Sequence, residues 1–271
     1  MGRSAVLELS GVSYAYGSGP LATPALRNVS LTVNGGEIVS LVGPSGCGKT
    51  TLLKIVSGLL QPDRGEVRVN GLTSRGVHAG IGCIFQTPRL LPWRTVLSNV
   101  MLPLEVERVS RPQARMTAER ALALVGLKGT GQRYPAELSG GMRRRVAIAR
   151  ALTSDPAVLL MDEPFASLDA ISREKLNLEM LRLREATGKT VLFVTHSIRE
   201  SVLMSDRVLV LSHRPAAVRR EVRVDLGPQR DLRVQDSTEF TRLTAALREE
   251  LDYGEDEERR RLDGEPEEDG A

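Results

Sequence analysis

Residues 37–60 read EIVSLVGPSGCGKTTLLKIVSGLL and set the fold class of this chain. The first seven residues are a dense apolar run ending in glycine, which is typical of a buried strand that leads into a loop. The last eleven are compatible with a helix. Strand, glycine-rich loop and helix therefore follow one another directly, as in a phosphate-binding α/β domain.

The loop itself, GPSGCGKT at residues 43–50, matches the spacing G-x4-G-K-[ST] in full. Glycines at 43, 46 and 48 let the backbone approach phosphate oxygens and direct amides at them. Lys49 supplies a cation for the outer phosphates, and Thr50 supplies a hydroxyl for a magnesium ion. The residues expected to bind nucleotide here are Gly43, Pro44, Ser45, Gly46, Cys47, Gly48, Lys49, Thr50 and Thr51. An amide-rich helix start also favours a lowered thiol pKa for Cys47, while the sequence leaves open whether the protein is sensitive to thiol reagents.

Three further apolar runs predict the remaining core strands, at residues 157–161, 190–195 and 207–212. Each is almost unbroken, as expected for parallel strands covered on both faces, and helical segments separate them. The N-terminal part instead alternates apolar and polar residues in short strands. Residues of about 87–155 contain helix-compatible segments and proline-rich joints, which predicts a helical insertion.

These patterns divide the chain into two parts. Residues 5–225 are expected to form a nucleotide-binding domain that contains the insertion at about 87–155. Residues 226–271 are expected to form an extension with one helix at about 237–251, because Phe240, Leu243, Leu247 and Leu251 share one helical face. The acidic segment after that helix is expected to be disordered, since it has few apolar side chains to bury.

Composition narrows the possible functions. The net charge of +3 combines −9 over residues 249–271 with +12 over the other 248 residues. The basic body suits a phosphate ligand, an anionic membrane surface or nucleic acid. No apolar run approaches the roughly 18 residues of a membrane span, and the N-terminus does not resemble an export signal. Two cysteines without a CxxC pair exclude a disulfide framework and a structural zinc site.

Two adjacent carboxylates, Asp162 and Glu163, end the strand in AVLLMDEP at residues 157–164. Successive strand residues point in opposite directions, so one carboxylate can serve a magnesium ion while the other faces an attacking water. Pro164 is expected to hold Glu163 in an extended backbone conformation. The alternative is a polar strand end without a catalytic role.

The segment LSGGM, residues 138–142, opens another helix-compatible stretch. A Ser-Gly-Gly start leaves amide donors free at the positive end of the helix dipole, which favours an anion. By itself, the motif is better explained by Ser139 as a simple N-cap, with residues 143–145 as a solvated arginine face.

Taken together, these motifs resemble the ATP-binding subunit of ABC transporters over about residues 5–215. The resemblance implies a P-loop NTPase fold with a RecA-like parallel sheet core, an N-terminal antiparallel β subdomain and an inserted α-helical subdomain. LSGGM resembles the family signature, with Met142 where glutamine is usual. The resemblance to this family also implies that two copies of the chain pair head to tail. Ser139, Gly140 and Gly141 of one copy would then contact the ATP that the other copy holds.

The resemblance assigns further residues. Tyr16 is similar to the aromatic residue that stacks on adenine, with Tyr14 as an alternative. Gln86 is similar to the glutamine that reaches magnesium and the attacking water, and Asp169 ends a loop that joins the two sites across the dimer. Catalysis is expected from Glu163 as general base with His196, Gln86 and Lys49. Magnesium is expected at Thr50, Gln86 and Asp162.

The apolar group at residues 90–93, which includes the only tryptophan, resembles the family's docking site for a membrane permease. Residues 86–93 are therefore expected to contact a transmembrane partner on the cytoplasmic face of the membrane.

Within the family, the branch that imports nitrate, sulfonates or taurine is most similar to this sequence, with a substrate-binding protein as an indirect partner. An exporter ATPase, another importer class, and a soluble ABC ATPase acting on nucleic acid are the alternatives. No nucleic-acid partner is expected, because the chain has neither a long coiled coil nor two ATPase copies.

Overall fold

The computed structural model describes residues 4–78, 80–166, 169–227 and 230–262. Ten strands are present in this part of the chain: β1 Ala5–Tyr16, β2 Thr23–Asn34, β3 Ile38–Val42, β4 Arg64–Val69, β5 Leu72–Thr73, β6 Ile81–Ile84, β7 Val158–Asp162, β8 Thr190–Val194, β9 Arg207–Leu211 and β10 Val218–Arg223. It also contains seven α-helices: α1 Lys49–Val56, α2 Val96–Val106, α3 Arg111–Leu124, α4 Gly140–Leu152, α5 Ala170–Thr187, α6 Ile198–Met204 and α7 Thr238–Leu262.

A six-stranded sheet in the order β10-β9-β3-β8-β7-β6 forms the centre of the fold. Its strands are parallel except β10, which pairs antiparallel with β9 at the edge. The expected core strands are confirmed, and β6 and β10 join them. Because neighbouring strands run in parallel, the carboxyl ends of β3, β7 and β8 meet at one edge.

Both faces of this sheet are covered, as the unbroken apolar strands require. On β3, Ile38 and Val42 pack with the helical side, while Val39 and Leu41 pack with α1 and the N-terminal strands. The N-terminal strands form a second, antiparallel sheet in the order β2-β1-β4-β5. The expected combination of a parallel core and an antiparallel subdomain is confirmed.

Helices α2, α3 and α4 lie between β6 and β7 and pack against one another. Proline is tolerated inside α2, and Thr95 caps that helix by accepting a hydrogen bond from the Ser98 amide. This is the inserted helical subdomain that the sequence predicts. The division into domains at the expected residue boundaries stays a prediction.

The C-terminal extension packs on the core through α7. Phe240, Leu243 and Leu247 are buried, and they contact the region of α6. The helix continues to Leu262 and not only to about 251, which corrects the expected end. Residues 263–271 of the expected acidic tail lie outside the described part.

Among the described residues, no helix combines the length and the apolar character needed to cross a bilayer.

Candidate functional site

The glycine loop follows β3 and leads directly into α1. Gly46 and Gly48 have φ angles of +77° and +130°, which L side chains rarely adopt. A Cβ at Gly48 would lie 2.9 Å from the Ala25 carbonyl oxygen, and one at Gly43 would lie 3.0 Å from the Leu211 carbonyl oxygen. Close backbone contacts therefore favour glycine at both ends of the loop, and at Gly48 the left-handed backbone conformation requires it as well.

Lys49 is the first residue of α1, and its side chain turns back over the loop. Its exposed fraction is only 5%, and its Nζ donates to the carbonyl oxygens of Gly43 and Pro44 at 2.7 Å each. These two hydrogen bonds hold the ammonium group inside the curve of the loop. A positive charge and a row of loop amides together form an anion site.

Asp162 lies beside the start of α1, although 112 residues separate it from Thr50. The Thr50 hydroxyl donates to Asp162 Oδ1 at 3.4 Å. Burial, followed by the charge of Glu163, raises the pKa of Asp162, while Thr50 and nearby lysines oppose the shift. The two oxygen atoms offer the hard ligands that a small divalent cation prefers.

Glu163 is the centre of a three-residue group assembled from separate strand ends. Its Oε1 lies 2.6 Å from His196 Nε2, and its Oε2 accepts a hydrogen bond from Gln86 Nε2 at 3.3 Å. Its backbone amide donates to the Val194 carbonyl at 2.9 Å. The structure thus brings Glu163, Gln86 and His196 together next to Asp162, and their catalytic roles stay a prediction.

The backbone of Glu163 differs from the expectation. Its φ is +44°, in the left-handed region and not in the extended conformation that Pro164 was expected to impose. Because the strand turns sharply here, the hydrogen bond to Val194 overrides the preference of the residue before proline. A non-glycine residue in this region is strained, and such strain is concentrated at functional sites.

The Ser-Gly-Gly motif starts α4 as expected. Ser139 caps the helix by accepting a hydrogen bond from the Met142 amide at 3.3 Å. Ser139 and Gly140 are exposed, and beyond the adjoining residues of α4 a Cβ built on Gly140 or Gly141 would have no described atom within 4 Å. The end of this helix dipole is therefore accessible to a second molecule.

Tyr16 and Tyr14 meet edge to face, with ring centroids 5.0 Å apart. Tyr14 packs on the core of the N-terminal strands, whereas 39% of Tyr16 is exposed. The Tyr16 hydroxyl lies 3.0 Å from Thr51 Oγ1, at the start of α1. Of the two candidates, only Tyr16 combines an exposed ring with a contact to the phosphate-loop helix.

The segment at residues 90–93 lies between β6 and α2. Leu90 packs partly on the core, whereas Trp93 is 72% exposed. Trp93 therefore does not serve the packing of the helical insertion. Asp169 is exposed and its carbonyl accepts the Arg173 amide of α5, while Ser167 and Leu168 of the same expected loop lie outside the described residues.

Two arginines of α4 differ from the expectation: Arg144 belongs to the stretch 143–145 that was considered as a solvated face, and Arg150 was not singled out. Arg144 is 1% exposed and donates to the carbonyls of Phe85 and Gln86, while Arg150 donates to those of Pro88 and Arg89 at about 3 Å. Burial lowers the pKa of both guanidinium groups. Their hydrogen bonds connect α4, the helix that Ser139 caps, to the loop that contains Gln86. No local signal separates these two arginines from the neighbouring Arg143 and Arg145.

Glu200 was also missed. It is buried in α6 and accepts a hydrogen bond from the Thr195 hydroxyl at 2.6 Å, next to His196. Burial raises the pKa of this carboxyl group, which Thr195 and Arg173 partly offset. The contact fixes the turn that carries His196.

The lowered thiol pKa expected for Cys47 is wrong. The Cys47 side chain is 2% exposed, and burial raises its thiol pKa more than Lys49 and the loop amides lower it. The thiolate is the reactive species, so a raised pKa makes this cysteine less reactive. The position of Cys47 correctly indicates that nearby amides lower its thiol pKa. Desolvation by the surrounding core raises that pKa by a larger amount.

Comparison with known proteins gives a consistent family. Residues 26–166 match the family model described as ABC transporter. An ABC transporter ATP-binding protein of Methanocaldococcus jannaschii is 47% identical over 207 residues, which cover 76% of this chain and 78% of the relative. The taurine import ATP-binding protein TauB of Roseobacter denitrificans is 43% identical over 220 residues, covering 80% and 82%.

Solved structures agree. A dimeric ATP-binding cassette in a post-hydrolysis state, bound to ADP and Pi, superposes with a TM-score of 0.71 at 34% identity. The match covers 81% of this chain and 99% of that one.

Proposed function

The chain belongs to the ABC transporter family of ATP-binding proteins, and from that membership we propose that it is the subunit that hydrolyses ATP to energise a solute importer. The grouping of Glu163 with Gln86 and His196 beside the loop that holds Lys49 carries this proposal. It places a proton acceptor next to a built phosphate site. Hydrolysis of a nucleoside triphosphate needs both.

Nucleotide would bind with its phosphates on the amides of residues 43–51 and its adenine on the exposed ring of Tyr16. Lys49 would move its Nζ from the loop carbonyls to the outer phosphate oxygens. Mg²⁺ fits Thr50, Asp162 and Gln86, because they offer a hydroxyl, a carboxylate and an amide oxygen, and because a cation would relieve the charge repulsion at Asp162. When bound, it would neutralise charge on the phosphates.

In the chemical step, Glu163 would accept the proton of a water that attacks the γ-phosphoryl group. Gln86 and His196 hold the two carboxylate oxygens of Glu163 and so fix its direction. Lys49 and the loop amides stabilise the charge that spreads over the phosphoryl oxygens in the transition state. The chemistry therefore depends mainly on positioning and electrostatics.

The complete site would require a second copy of this chain. Ser139, Gly140 and Gly141 are accessible, and the similar cassette with bound ADP and Pi is a dimer. We infer that the α4 N-terminus of one copy binds the γ-phosphate held by the other, in a head-to-tail pair. Asp169, ahead of α5, would lie near the shared surface.

Light scattering with ATP tests this pairing. The Glu163→Gln variant is expected to double its mass in the presence of ATP and Mg²⁺, because nucleotide joins the two copies and is not hydrolysed. Adding Ser139→Glu is expected to keep the protein monomeric while ATP still binds, because a carboxylate repels the γ-phosphate. Persistence of a monomer in Glu163→Gln at saturating ATP would contradict the ATP-joined dimer.

A transmembrane permease would contact the segment of residues 86–93, including Trp93, at the cytoplasmic face of the membrane. An exposed tryptophan is a common anchor of protein interfaces. Relatives named for taurine import, at 41–44% identity, favour taurine, an aliphatic sulfonate or a similar small solute. A substrate-binding protein would deliver that solute to the permease and would not contact this chain.

The Trp93→Ala variant tests the docking site. We expect co-purification with the permease to fall at least about tenfold, because loss of a central anchor costs roughly 2 kcal/mol or more. ATP hydrolysis by the isolated subunit is expected to be unchanged. Leu124→Ala is the matched control, since Leu124 is 55% exposed on α3 of the same helical insertion. Normal assembly by Trp93→Ala would place the permease contact elsewhere.

A further inference from the structure

The loop between β9 and β10 is hydrogen-bonded to β2, a strand that lies beside the phosphate loop. The Ala216 amide donates to the Ala25 carbonyl, and the Arg27 amide donates to the Ala216 carbonyl, both at 2.9 Å. Ala216 is fully buried, and its Cβ lies 3.5 Å from the position a Cβ would take at Gly48. The backbone next to Arg214 is therefore held in a fixed place beside the glycine loop.

The side chain of Arg214 is anchored as well, although it is exposed. Its Nε donates to the Pro24 carbonyl at 2.9 Å, and its Nη2 lies 3.4 Å from the Thr23 carbonyl. Thr23 is the strand partner of Tyr16 across β1 and β2. The same contacts place the Arg214 guanidinium over the Tyr16 ring, with Cζ 6.0 Å from the ring centroid. That distance is at the outer limit of a cation–π contact.

Three neighbours thus constrain the Tyr16 ring. Thr51 lies at its hydroxyl, Tyr14 meets it edge to face, and Arg214 lies over it. Tyr16 is still 39% exposed as a residue, which leaves room for a stacked base. A ring held in one orientation loses less conformational entropy when a ligand binds.

We propose that Arg214 is a positioning residue for the nucleotide base, and that it acts by fixing the Tyr16 ring in the orientation that stacks on adenine. This inference rests on the proposed function, since it takes Tyr16 as the base-stacking residue. It assigns to the loop after β9 a role in ATP affinity and none in the chemical step.

Isothermal titration with two ligands tests the assignment in the full chain. ATP has a base, whereas inorganic tripolyphosphate offers the phosphates alone. Arg214→Ala is expected to weaken ATP binding about two- to fivefold, the range of an exposed cation–π contact, and to leave tripolyphosphate binding unchanged. Arg214→Lys is expected to behave like Arg214→Ala, because lysine lacks the planar fork that donates to Pro24 and Thr23.

Tyr16→Ala is expected to weaken ATP binding by at least about fivefold, again without effect on tripolyphosphate. The double variant Tyr16→Ala with Arg214→Ala is expected to bind ATP as Tyr16→Ala does, because Arg214 acts through the ring. Additive losses, or an equal loss for tripolyphosphate in Arg214→Ala, would overturn the inference.

The controls separate two kinds of failure. If Tyr16→Ala weakens ATP binding and Arg214→Ala does not, the inference about Arg214 is wrong and the proposed function is unaffected. If the wild-type chain binds neither ATP nor tripolyphosphate, the proposed function itself is wrong.

Discussion

Replacing Glu163 with glutamine is expected to lower ATP turnover by more than tenfold while ATP binding stays intact. Glutamine keeps the size of the side chain and an oxygen that can accept from Gln86. It cannot accept the proton of the attacking water. A positioned general base typically contributes roughly 10²–10⁴-fold to a rate, so the loss should be large in kcat and small in ATP affinity.

Steady-state phosphate release and nucleotide titration on the purified variant measure the two effects separately. Glu119→Gln is the matched control, because Glu119 is exposed on α3 and pairs only with Arg115 in the described part of the chain. Turnover near that of the wild type in Glu163→Gln would remove Glu163 from the role of general base, whatever its contacts with His196.

The second large effect is expected from Arg144→Ala. This guanidinium is almost fully buried and donates to the backbone carbonyls of Phe85 and Gln86. Removing it breaks two hydrogen bonds from a charged donor to partly buried carbonyls, and each such bond contributes about 1.5–3 kcal/mol. We therefore expect the free energy of unfolding to fall by about 2–5 kcal/mol. In the folded fraction, we also expect slower ATP turnover, because the Gln86 backbone is released.

Urea unfolding followed by circular dichroism measures the stability change. Arg115→Ala is the control, since Arg115 is 61% exposed and its ion pair with Glu119 should contribute less than about 1 kcal/mol. A loss of less than about 1 kcal/mol in Arg144→Ala would mean that water satisfies both carbonyls in its place. The hydrogen bonds of Arg144 would then not be needed to hold the loop that contains Gln86.

Local sequence was sufficient for much of this protein. The loop from Gly43 to Thr50 has its chemistry in adjacent residues, and the unbroken apolar runs predict the central strands because a parallel strand is buried on both faces. Ser139 was expected to start a helix, and it does cap α4. In each of these cases, the determining interactions lie within a few residues of one another.

Tertiary structure decided what depends on distant neighbours. Gln86, Glu163 and His196 could be grouped beforehand only by family resemblance, since 77 residues separate the first two. The left-handed backbone of Glu163 follows from its hydrogen bond to β8, against the local preference set by Pro164. The raised pKa of Cys47 follows from burial in a core built by remote strands.

Arg144 and Arg214 show most clearly the difference between what the sequence predicts and what the tertiary structure decides. Composition identifies Arg144 and Arg214 only as two of the chain's many basic residues. Folding buries Arg144 against the carbonyls of a loop 58 residues away and sets Arg214 over Tyr16 from the opposite end of the chain. Sequence determined the phosphate loop and the order of strands because those are local patterns. The surroundings of each charge were decided by packing, because desolvation and hydrogen bonding depend on whichever residues the fold brings near.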